Sequence, residues 1–339
     1  MGVKVGVVGA GIIGLTTALR ILETVEKVQV TIMTESFTPQ TTADSAVGFF
    51  LPTLIDGVAD QKLRDWCVDS YNFYLQLIRT QSAEQLGLTL TPSYLYSDTY
   101  DPRPLYAEAF LEYRDLTPEE LATTPGNFKY GIYCVSISFV CRKLLPYLME
   151  RFLRRGGLFV KKKLSSLDEL AGDYDVVVNC PGLGASSLVP DPDVTPIQGQ
   201  TIRVCAPWIK NVVSAGDYHV CPTVDYVALG GSHVFGATSQ VSDPEVAKDI
   251  WNNCLQLVPS LKDAEILANH VCLRPYRNPV RLEIENRVVK GSRKTLPIVH
   301  SYGHGGAGIT VSWGVAGDAA QLVQDVIGNR SLAGRTSKL

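Results

Sequence analysis

The 339-residue sequence contains no apolar run of the roughly 20 residues that a membrane-spanning helix needs. Its N-terminal segment also lacks the basic start and the cleavage site of a signal peptide. The eight cysteines form no Cys-x-x-Cys pair and no metal-ligand pattern with the five histidines. These absences predict a protein that is neither membrane-bound nor conventionally secreted, that binds no metal, and whose thiols are buried and reduced.

An excess of positive charge is also missing, because 31 lysines and arginines face 34 aspartates and glutamates, for a net charge of −3. Without a basic field, nucleic acid is excluded as a partner. We interpret Lys161-Lys162-Lys163 as the solvated edge of a strand, with a phosphate patch as the alternative. Repeats and low-complexity tracts are absent, and the length exceeds one compact core, which predicts two domains.

The most informative motif lies near the N-terminus, where an apolar strand at residues 4–8 runs into Gly-x-Gly-x-x-Gly at residues 9–14. In this motif the first glycine permits a tight turn, the second lets the backbone approach a pyrophosphate, and the third lets the next helix lie close to the sheet. A helical period over residues 12–22 and a second strand at 28–33 complete the βαβ unit. The sequence therefore predicts a dinucleotide site, the alternative being a βαβ turn whose glycines serve packing alone.

An acidic residue follows the second strand at the distance expected for a ribose contact. Glu35 lies about 20 residues past the last glycine, where a carboxylate hydrogen-bonds a ribose 2′-OH. The same carboxylate would repel a 2′-phosphate, so NADP is disfavoured.

Two later segments repeat the pattern of a strand that ends at glycines. A strand apolar enough to be buried on both faces is predicted at residues 174–179, before Gly182. A glycine-rich run at residues 303–308 precedes a helix predicted at 313–327. Between them, short strands at 200–204, 226–230 and 273–282 indicate a separate mixed or antiparallel sheet. Distant segments are therefore expected to build one cofactor domain, with the substrate sheet inserted between them.

The periodicity of other segments is less uniform. Helices are predicted at residues 66–81 and 142–155, and a further helix is predicted to begin at Ser186. Residues 89–133 carry many aromatics and prolines without a clear period.

Taken together, these motifs resemble the FAD-dependent D-amino acid oxidases, a family that includes the D-aspartate oxidases, and the resemblance covers essentially the whole chain. It depends on the residues at 8–15, 37–39, 41–42, 175–180, 182, 199–200, 206–208, 229–231, 273–277 and 302–306, and on the C-terminal triplet. So many ordered matches are far more specific than the glycine motif alone.

The resemblance implies an α/β protein with a Rossmann-like FAD-binding domain and an inserted mixed β-sheet substrate domain. The FAD-binding domain is expected at residues 1–50, 135–194 and 286–339, and the substrate domain at 51–134 and 195–285. FAD, rather than NAD, is implied as a deeply held, non-covalent cofactor. The residues implied to hold it are Gly9, Ala10, Gly11, Ile12, Ile13, Gly14, Glu35, Ser36, Thr41, Thr42, Leu164, Gly182, Gly305, Gly306, Gly308, Ile309 and Thr310.

At the substrate end, the resemblance implies that Arg274 binds the α-carboxylate of a D-amino acid. A planar guanidinium grips a carboxylate through two parallel hydrogen bonds and keeps its charge. The alternative, a surface ion pair, suits Arg277, Arg281 or Arg287 better. The implied reaction consumes molecular oxygen and yields a 2-oxo acid, ammonia and hydrogen peroxide. The oligomeric state stays open, with a homodimer as one alternative.

The family usually places a tyrosine hydroxyl beside that arginine, and the sequence departs from the pattern there. Counting back without gaps from Leu229-Gly230-Gly231 puts His219 at the tyrosine position, with Tyr218 one residue earlier. Only one of two consecutive strand residues points inward. A single-residue bulge would return Tyr218 to the site, and we slightly favour Tyr218 without discarding His219.

The preference between neutral and acidic substrates depends on a second cation. D-aspartate oxidases resemble this chain but meet the side-chain carboxylate with an arginine and a serine, where this sequence has Ser214 and Gly306. Because burying a second carboxylate without a cation is costly, neutral D-amino acids are favoured. The short loop at residues 211–221, however, resembles the loop of the family members that act on acidic substrates. Arg277 or His219 would then compensate the charge of the substrate's side-chain carboxylate.

The resemblance thus places Arg274, Tyr218, His219 and Gly306 at the end of the site where the substrate reacts.

Two rival classes stay open, a NAD-dependent dehydrogenase that shares the glycine turn and a non-catalytic flavin-binding protein on the same fold. A sarcosine or glycine oxidase is a closer alternative, which would differ in substrate and not in cofactor. The C-terminal Ser337-Lys338-Leu339 matches a peroxisomal address and predicts a peroxisomal enzyme bound by the import receptor.

Overall fold

The computed structural model describes residues 2–336 and shows a mixed α/β protein whose strands join in one large sheet. Within those residues, no helix is both long and apolar enough to cross a membrane. The same residues contain no group of three or more His, Cys, Asp or Glu side chains placed to hold a metal ion. Ser337-Lys338-Leu339 lies outside the described residues, so peroxisomal import stays a prediction.

The strands are numbered in chain order. They are β1 Val3–Val8, β2 Val28–Thr34, β3 Val47–Phe49, β4 Leu88–Ser97, β5 Tyr113–Asp115, β6 Tyr130–Val140, β7 Leu158–Lys161, β8 Val176–Asn179, β9 Thr195–Cys205, β10 Val212–Ala215, β11 Tyr218–Pro222, β12 Val227–Gly230, β13 Val234–Phe235, β14 Glu265–Val288 and β15 Thr295–His304.

The α-helices are numbered in the same way. They are α1 Ile12–Thr24, α2 Thr42–Ser45, α3 Asp60–Thr80, α4 Ala83–Leu86, α5 Pro118–Ala122, α6 Cys141–Arg154, α7 Ala185–Leu188, α8 Pro244–Leu257 and α9 Gly308–Thr336. Short 3₁₀ turns lie at Leu105–Ala109, Leu167–Leu170, Gly182–Gly184 and Pro259–Asp263.

One end of the sheet is a parallel, Rossmann-like layer. Its strand order is β15-β8-β1-β2-β7, and all four neighbouring pairs are parallel. The strands β1 and β8 have buried apolar side chains on both faces, as a sheet covered by helices requires. Helices α1 and α9 pack against each other beside this layer. The predicted βαβ unit and the strand at 174–179 are confirmed here.

The other end of the sheet is mixed and mostly antiparallel. It runs β3-β6-β4-β10-β11-β12-β9-β14, and helix α8 covers the face of β9 that carries Ile202 and Val204. Long β14 pairs with β9 in its first half and with β15 in its second half, so it joins the two layers. The predicted fold class, a Rossmann-like layer combined with a mixed substrate sheet, is therefore confirmed. The exact domain boundaries stay a prediction.

The structure differs from the predicted elements mainly in length. The region at 89–133, in which no period is visible, holds most of β4, the start of β6, and the short elements β5 and α5 between them, so no single period runs through it. Helix α9 begins at Gly308, five residues before the predicted start, because the glycine-rich segment itself enters the first turn. Helix α7 has only four residues.

Candidate active site

A cavity of about 620 Å³ lies where the two layers of the sheet meet. The segments that follow β1, β2, β8 and β15 all line it, since the carboxyl ends of parallel strands lie at one edge of a sheet. Residues of β9 and β14 line it as well. The glycine turn at residues 9–14 and Arg274 therefore face the same cavity.

The glycine turn after β1 has the geometry of a phosphate cradle. Gly9 has φ +101°, a left-handed conformation that favours glycine, and a Cβ on Gly14 would collide with the Gly9 carbonyl oxygen. A Cβ on Gly11 would instead meet no atom within 4 Å, because it would project into the open cavity. Helix α1 has no side-chain cap and no acid in its first turn, so its free N–H groups are left for an anion. The residues present therefore fit the pyrophosphate of FAD.

Most residues implied to hold FAD line the cavity, and one does not. Those in the lining are Gly9, Ala10, Gly11, Ile12, Ile13, Gly14, Glu35, Ser36, Thr41, Thr42, Gly182, Gly305, Gly306, Gly308, Ile309 and Thr310. The side chain of Leu164 packs in a core cluster with Leu167 and Leu170 instead. The cluster also holds side chains of β1, β2, β8 and β15, and the assignment of Leu164 to the cofactor site stays a prediction.

Gly305 and Gly306 shape the middle of the cavity by close packing. Gly305 has φ +54°, and a Cβ on it would collide with the Leu54 carbonyl oxygen. A Cβ on Gly306 would lie 2.8 Å from the carbonyl oxygen of Thr53. The segment before helix α9 is thus held against residues 53 and 54, and the first turn of α9 opens on the cavity.

Arg274 reaches the cavity from β14. It pairs with Ile197 of β9, and its guanidinium lies over Gly199, where a Cβ would collide with it. Its Nη1 is buried and has no hydrogen-bond partner among the described residues. A guanidinium with a buried, unsatisfied donor is poised for a planar anion such as a carboxylate.

Unlike Arg274, the three neighbouring arginines form ion pairs with carboxylates of the chain, as the sequence indicates. Arg277 forms ion pairs with Asp191 at 2.9 Å and Asp193 at 3.1 Å. Arg281 pairs with Glu283, and Arg287 pairs with Glu285. These three guanidinium groups are occupied by carboxylates of the chain itself, so the alternative in which Arg277 compensates a substrate charge is wrong.

The structure places His219, and not Tyr218, in the cavity. Strands β10 and β11 pair without a bulge, with Ser214 opposite His219. The Tyr218 hydroxyl donates a hydrogen bond of 2.7 Å to Asp249 on helix α8. The preference for Tyr218 is therefore wrong, because the bulge that it required is absent and strand alternation turns its side chain to the other face.

His219 is enclosed between Gly230 and Phe49. A Cβ on Gly230 would collide with the imidazole, and the Phe49 ring centroid lies 5.9 Å from that of His219. Burial, followed by the charge of Arg274 and by His233, lowers the pKa of His219 to about 4. The imidazole is therefore neutral at pH 7 and adds no charge to the cavity.

Among the cavity residues that the sequence analysis does not assign, three are of chemical interest. They are His233, Asp217 and His304. His233 Nδ1 lies 3.5 Å from Asp217 Oδ1, and burial together with Arg274 lowers the pKa of His233. His304 is fully enclosed with an unpartnered Nε2, and burial lowers its pKa to about 4. His304 lies within the glycine-rich motif, which was a usable signal, whereas nothing in the local pattern marks His233.

The histidines lead to a prediction about pH. Burial lowers the pKa of every histidine in the sequence, namely His219, His233, His270, His300 and His304. Below pH 6.5 the unfolded chain binds protons that the folded chain does not, down to about pH 4 for His219, His270 and His304, so the free energy of unfolding falls as the pH falls. We expect the thermal midpoint to drop from pH 7 to pH 5, and imidazole NMR signals to show no titration near pH 6.5. A histidine that titrates with an ordinary pKa in the folded enzyme would contradict this assignment.

Comparison with known proteins agrees with the geometry. The family model described as FAD dependent oxidoreductase matches residues 4–322. A D-amino acid oxidase of Dugesia ryukyuensis is 38% identical over 95% of this chain and 98% of its own length. A D-aspartate oxidase of Homo sapiens is 34% identical over 96% of this chain and 95% of its own length.

Solved structures show the same fold at low sequence identity. Glycine oxidase from Geobacillus kaustophilus superposes with a TM-score of 0.75 at 16% identity, covering 96% of this chain and 95% of that one. An iminodiacetate oxidase from Chelativorans sp. BNC1 superposes with a TM-score of 0.73 at 18% identity, covering 95% of each chain.

Proposed function

This chain belongs to the family of FAD-dependent oxidoreductases, and we propose that within it the chain is a D-amino acid oxidase that prefers neutral substrates. One observation carries the proposed preference. Arg274 is the single lysine or arginine that lines the cavity among the side chains described up to residue 329, and the histidines beside it have lowered pKa values. The cavity therefore offers one fixed positive charge, which matches a substrate with one carboxylate.

Arg274 binds and orients the substrate in this proposal. Its unpartnered Nη1 and the rest of its guanidinium grip the α-carboxylate, with two charge-assisted hydrogen bonds of about 1.5–3 kcal/mol each. Much of their value lies in orientation, because a fixed carboxylate also fixes the direction of the Cα–H bond. When bound, FAD supplies the hydride acceptor, and its reoxidation by oxygen yields hydrogen peroxide.

The chain supports that chemistry through electrostatics and enclosure rather than through an acid–base pair. The first turn of α9 lines the cavity at Gly308, Ile309 and Thr310, where a helix N-terminus stabilises negative charge. The Thr310 hydroxyl donates to the Leu51 carbonyl at 3.2 Å, which holds the turn in place. Loss of the Cα hydride and of one N–H proton converts the amino acid into an imino acid, which water hydrolyses to a 2-oxo acid and ammonia.

Oxidation of D-aspartate is the second candidate function. It is favoured by the 34% identity to the human D-aspartate oxidase and by His233, which would meet a side-chain carboxylate if it were protonated. The lowered pKa of His233 and its contact with Asp217 argue against a charged imidazole at pH 7. Ser214 and Gly306 line the cavity, and neither carries charge.

A direct comparison of two substrates tests the proposed preference. We expect kcat/KM for D-alanine to exceed that for D-aspartate at least about tenfold at pH 7.5, since a second buried carboxylate without a cation costs more than 1.4 kcal/mol. Oxygen consumption measures both rates. A preference for D-aspartate would overturn the neutral assignment.

A charge-adding variant sharpens the same test. Ser214→Arg places a cation on β10, opposite His219 and at the cavity wall. We expect it to raise the ratio of D-aspartate to D-alanine activity. An unchanged ratio would show that the substrate side chain does not point toward β10.

A further inference from the structure

Asp217 is a carboxylate at the active-site cavity that the proposed oxidation does not use. Among the side chains described up to residue 329, Asp217 and Glu35 are the two acidic residues that line this cavity. Glu35 follows β2, beside the glycine turn, and its carboxylate forms an ion pair of 2.9 Å with Lys163. In the same part of the chain, no lysine or arginine forms an ion pair with Asp217.

The backbone of Asp217 is held at the tip of a short hairpin. Ala215 of β10 pairs with Tyr218 of β11, which leaves Gly216 and Asp217 as a two-residue turn. Gly216 has φ +56°, a left-handed conformation that lets so short a turn close. Both turn residues line the cavity, so the hairpin fixes Asp217 at the cavity wall.

His233 connects Asp217 with the part of the cavity that Arg274 occupies. Strand β13 pairs with β9, and continuing its register by one residue sets His233 beside Gly199. The Arg274 guanidinium lies over Gly199, and His233 Nδ1 lies 3.5 Å from Asp217 Oδ1. The Asp217 carboxylate therefore lies on the Arg274 side of the cavity, where the substrate is bound in the proposed function.

The protein does not neutralise the charge of Asp217. Burial, followed by the charge of Arg274, lowers the pKa of His233, so the imidazole beside the carboxylate is neutral at pH 7. The side chain of Asp217 is 73% exposed, which leaves its oxygens accessible to a ligand in the cavity. The cavity therefore offers one fixed cation and one free carboxylate on the same side.

We propose that Asp217 forms a subsite for the side-chain cation of basic D-amino acids such as D-lysine and D-arginine. This inference rests on the proposed function, because it requires the α-carboxylate to be bound at Arg274. The two ends of a basic amino acid then meet charges of opposite sign, the α-carboxylate at Arg274 and the side-chain ammonium or guanidinium at Asp217. The same carboxylate repels the second carboxylate of D-aspartate, so the site favours neutral and basic side chains over acidic ones.

Two substrates that differ by a single cation test this subsite. D-Lysine and D-norleucine have the same carbon chain, but only D-lysine carries an ε-ammonium group. We expect the ratio of kcat/KM for D-lysine to that for D-norleucine to fall about three- to fivefold in the Asp217→Asn holoenzyme, the range of an exposed ion pair. The ratio for D-glutamate to D-glutamine should rise in the same variant. A general distortion of the site would not move these two ratios in opposite directions.

Asp98→Asn is the matched control for the change in net charge. Asp98 is exposed, follows β4 next to β10, and does not line the cavity, so this variant should leave both ratios unchanged. An unchanged ratio of D-lysine to D-norleucine in Asp217→Asn would overturn the subsite. Serine, like asparagine, is a common turn residue, so Asp217→Ser decides the question if Asp217→Asn does not fold.

A binding measurement separates this proposal from the proposed function. The ligands 6-aminohexanoate and hexanoate are D-lysine and D-norleucine without the α-amino group, so neither can be deaminated. We expect 6-aminohexanoate to bind the holoenzyme about threefold more tightly than hexanoate, followed through the flavin spectrum, and Asp217→Asn to remove the difference. Equal affinities in the wild type would overturn the subsite even if D-alanine is oxidised normally. If the difference is present but D-alanine is not oxidised, the proposed function fails and the cation subsite stands.

Discussion

Arg274→Ala is expected to keep bound flavin and to lose oxidation of D-amino acids almost completely. The guanidinium is the single fixed cation at the substrate end of the described cavity, and its Nη1 is buried without a partner. Two charge-assisted hydrogen bonds of about 1.5–3 kcal/mol each correspond to a loss of about 10²–10⁴ in kcat/KM. Loss of orientation adds to this figure.

The measurement combines the visible flavin spectrum with oxygen consumption over a range of D-alanine concentrations. Arg287→Ala is the control on the same strand, since Arg287 pairs with Glu285 and does not line the cavity. It should retain near-normal turnover. If Arg274→Ala oxidised D-alanine at near-normal rates, the carboxylate would be bound elsewhere and the proposed function would lose its main support.

Arg274→Lys separates charge from geometry. Lysine keeps the positive charge but offers a point donor in place of the planar fork. We expect activity between that of the wild type and that of Arg274→Ala. If only the charge mattered, kcat/KM would stay near the wild-type value, so a clear loss in kcat/KM would show that the planar fork contributes.

The sequence predicted best those parts of the site that depend on local backbone geometry. The glycine turn at residues 9–14 is predicted from the spacing of its three glycines and from the βαβ unit around them, and both can be recognised in the sequence. Arg274 was identified from the Leu-Arg-Pro context within the resemblance, and its unpartnered Nη1 is consistent with the assigned role. These features need no knowledge of distant contacts.

Features set by pairing between distant segments were harder to predict. Whether Tyr218 or His219 faces inward depends on the register of β10 with β11, and a shift of one residue reverses the answer. His233 enters the cavity because β13 pairs with β9, which no local pattern records.

Gly11→Ala is expected to abolish FAD binding while leaving the protein fold intact. Gly11 has φ −73° and ψ −177°, which alanine adopts without strain, and its Cβ would meet no protein atom within 4 Å. The added methyl group would occupy the space that the pyrophosphate needs to reach the N–H groups of α1. Losing two such hydrogen bonds, at about 1.5–3 kcal/mol each, raises the FAD dissociation constant at least about 100-fold.

Gly14→Ala is the matched substitution in the same turn, with a different expected outcome. Its Cβ would collide with the Gly9 carbonyl oxygen, so the clash lies within the protein and not with the ligand. We therefore expect a lower thermal midpoint for the flavin-free form of Gly14→Ala and an unchanged one for Gly11→Ala, measured with FAD titrations by flavin fluorescence. Normal FAD affinity in Gly11→Ala would contradict the pyrophosphate assignment, because only Gly11, of the three glycines in the turn, leaves open space for a Cβ.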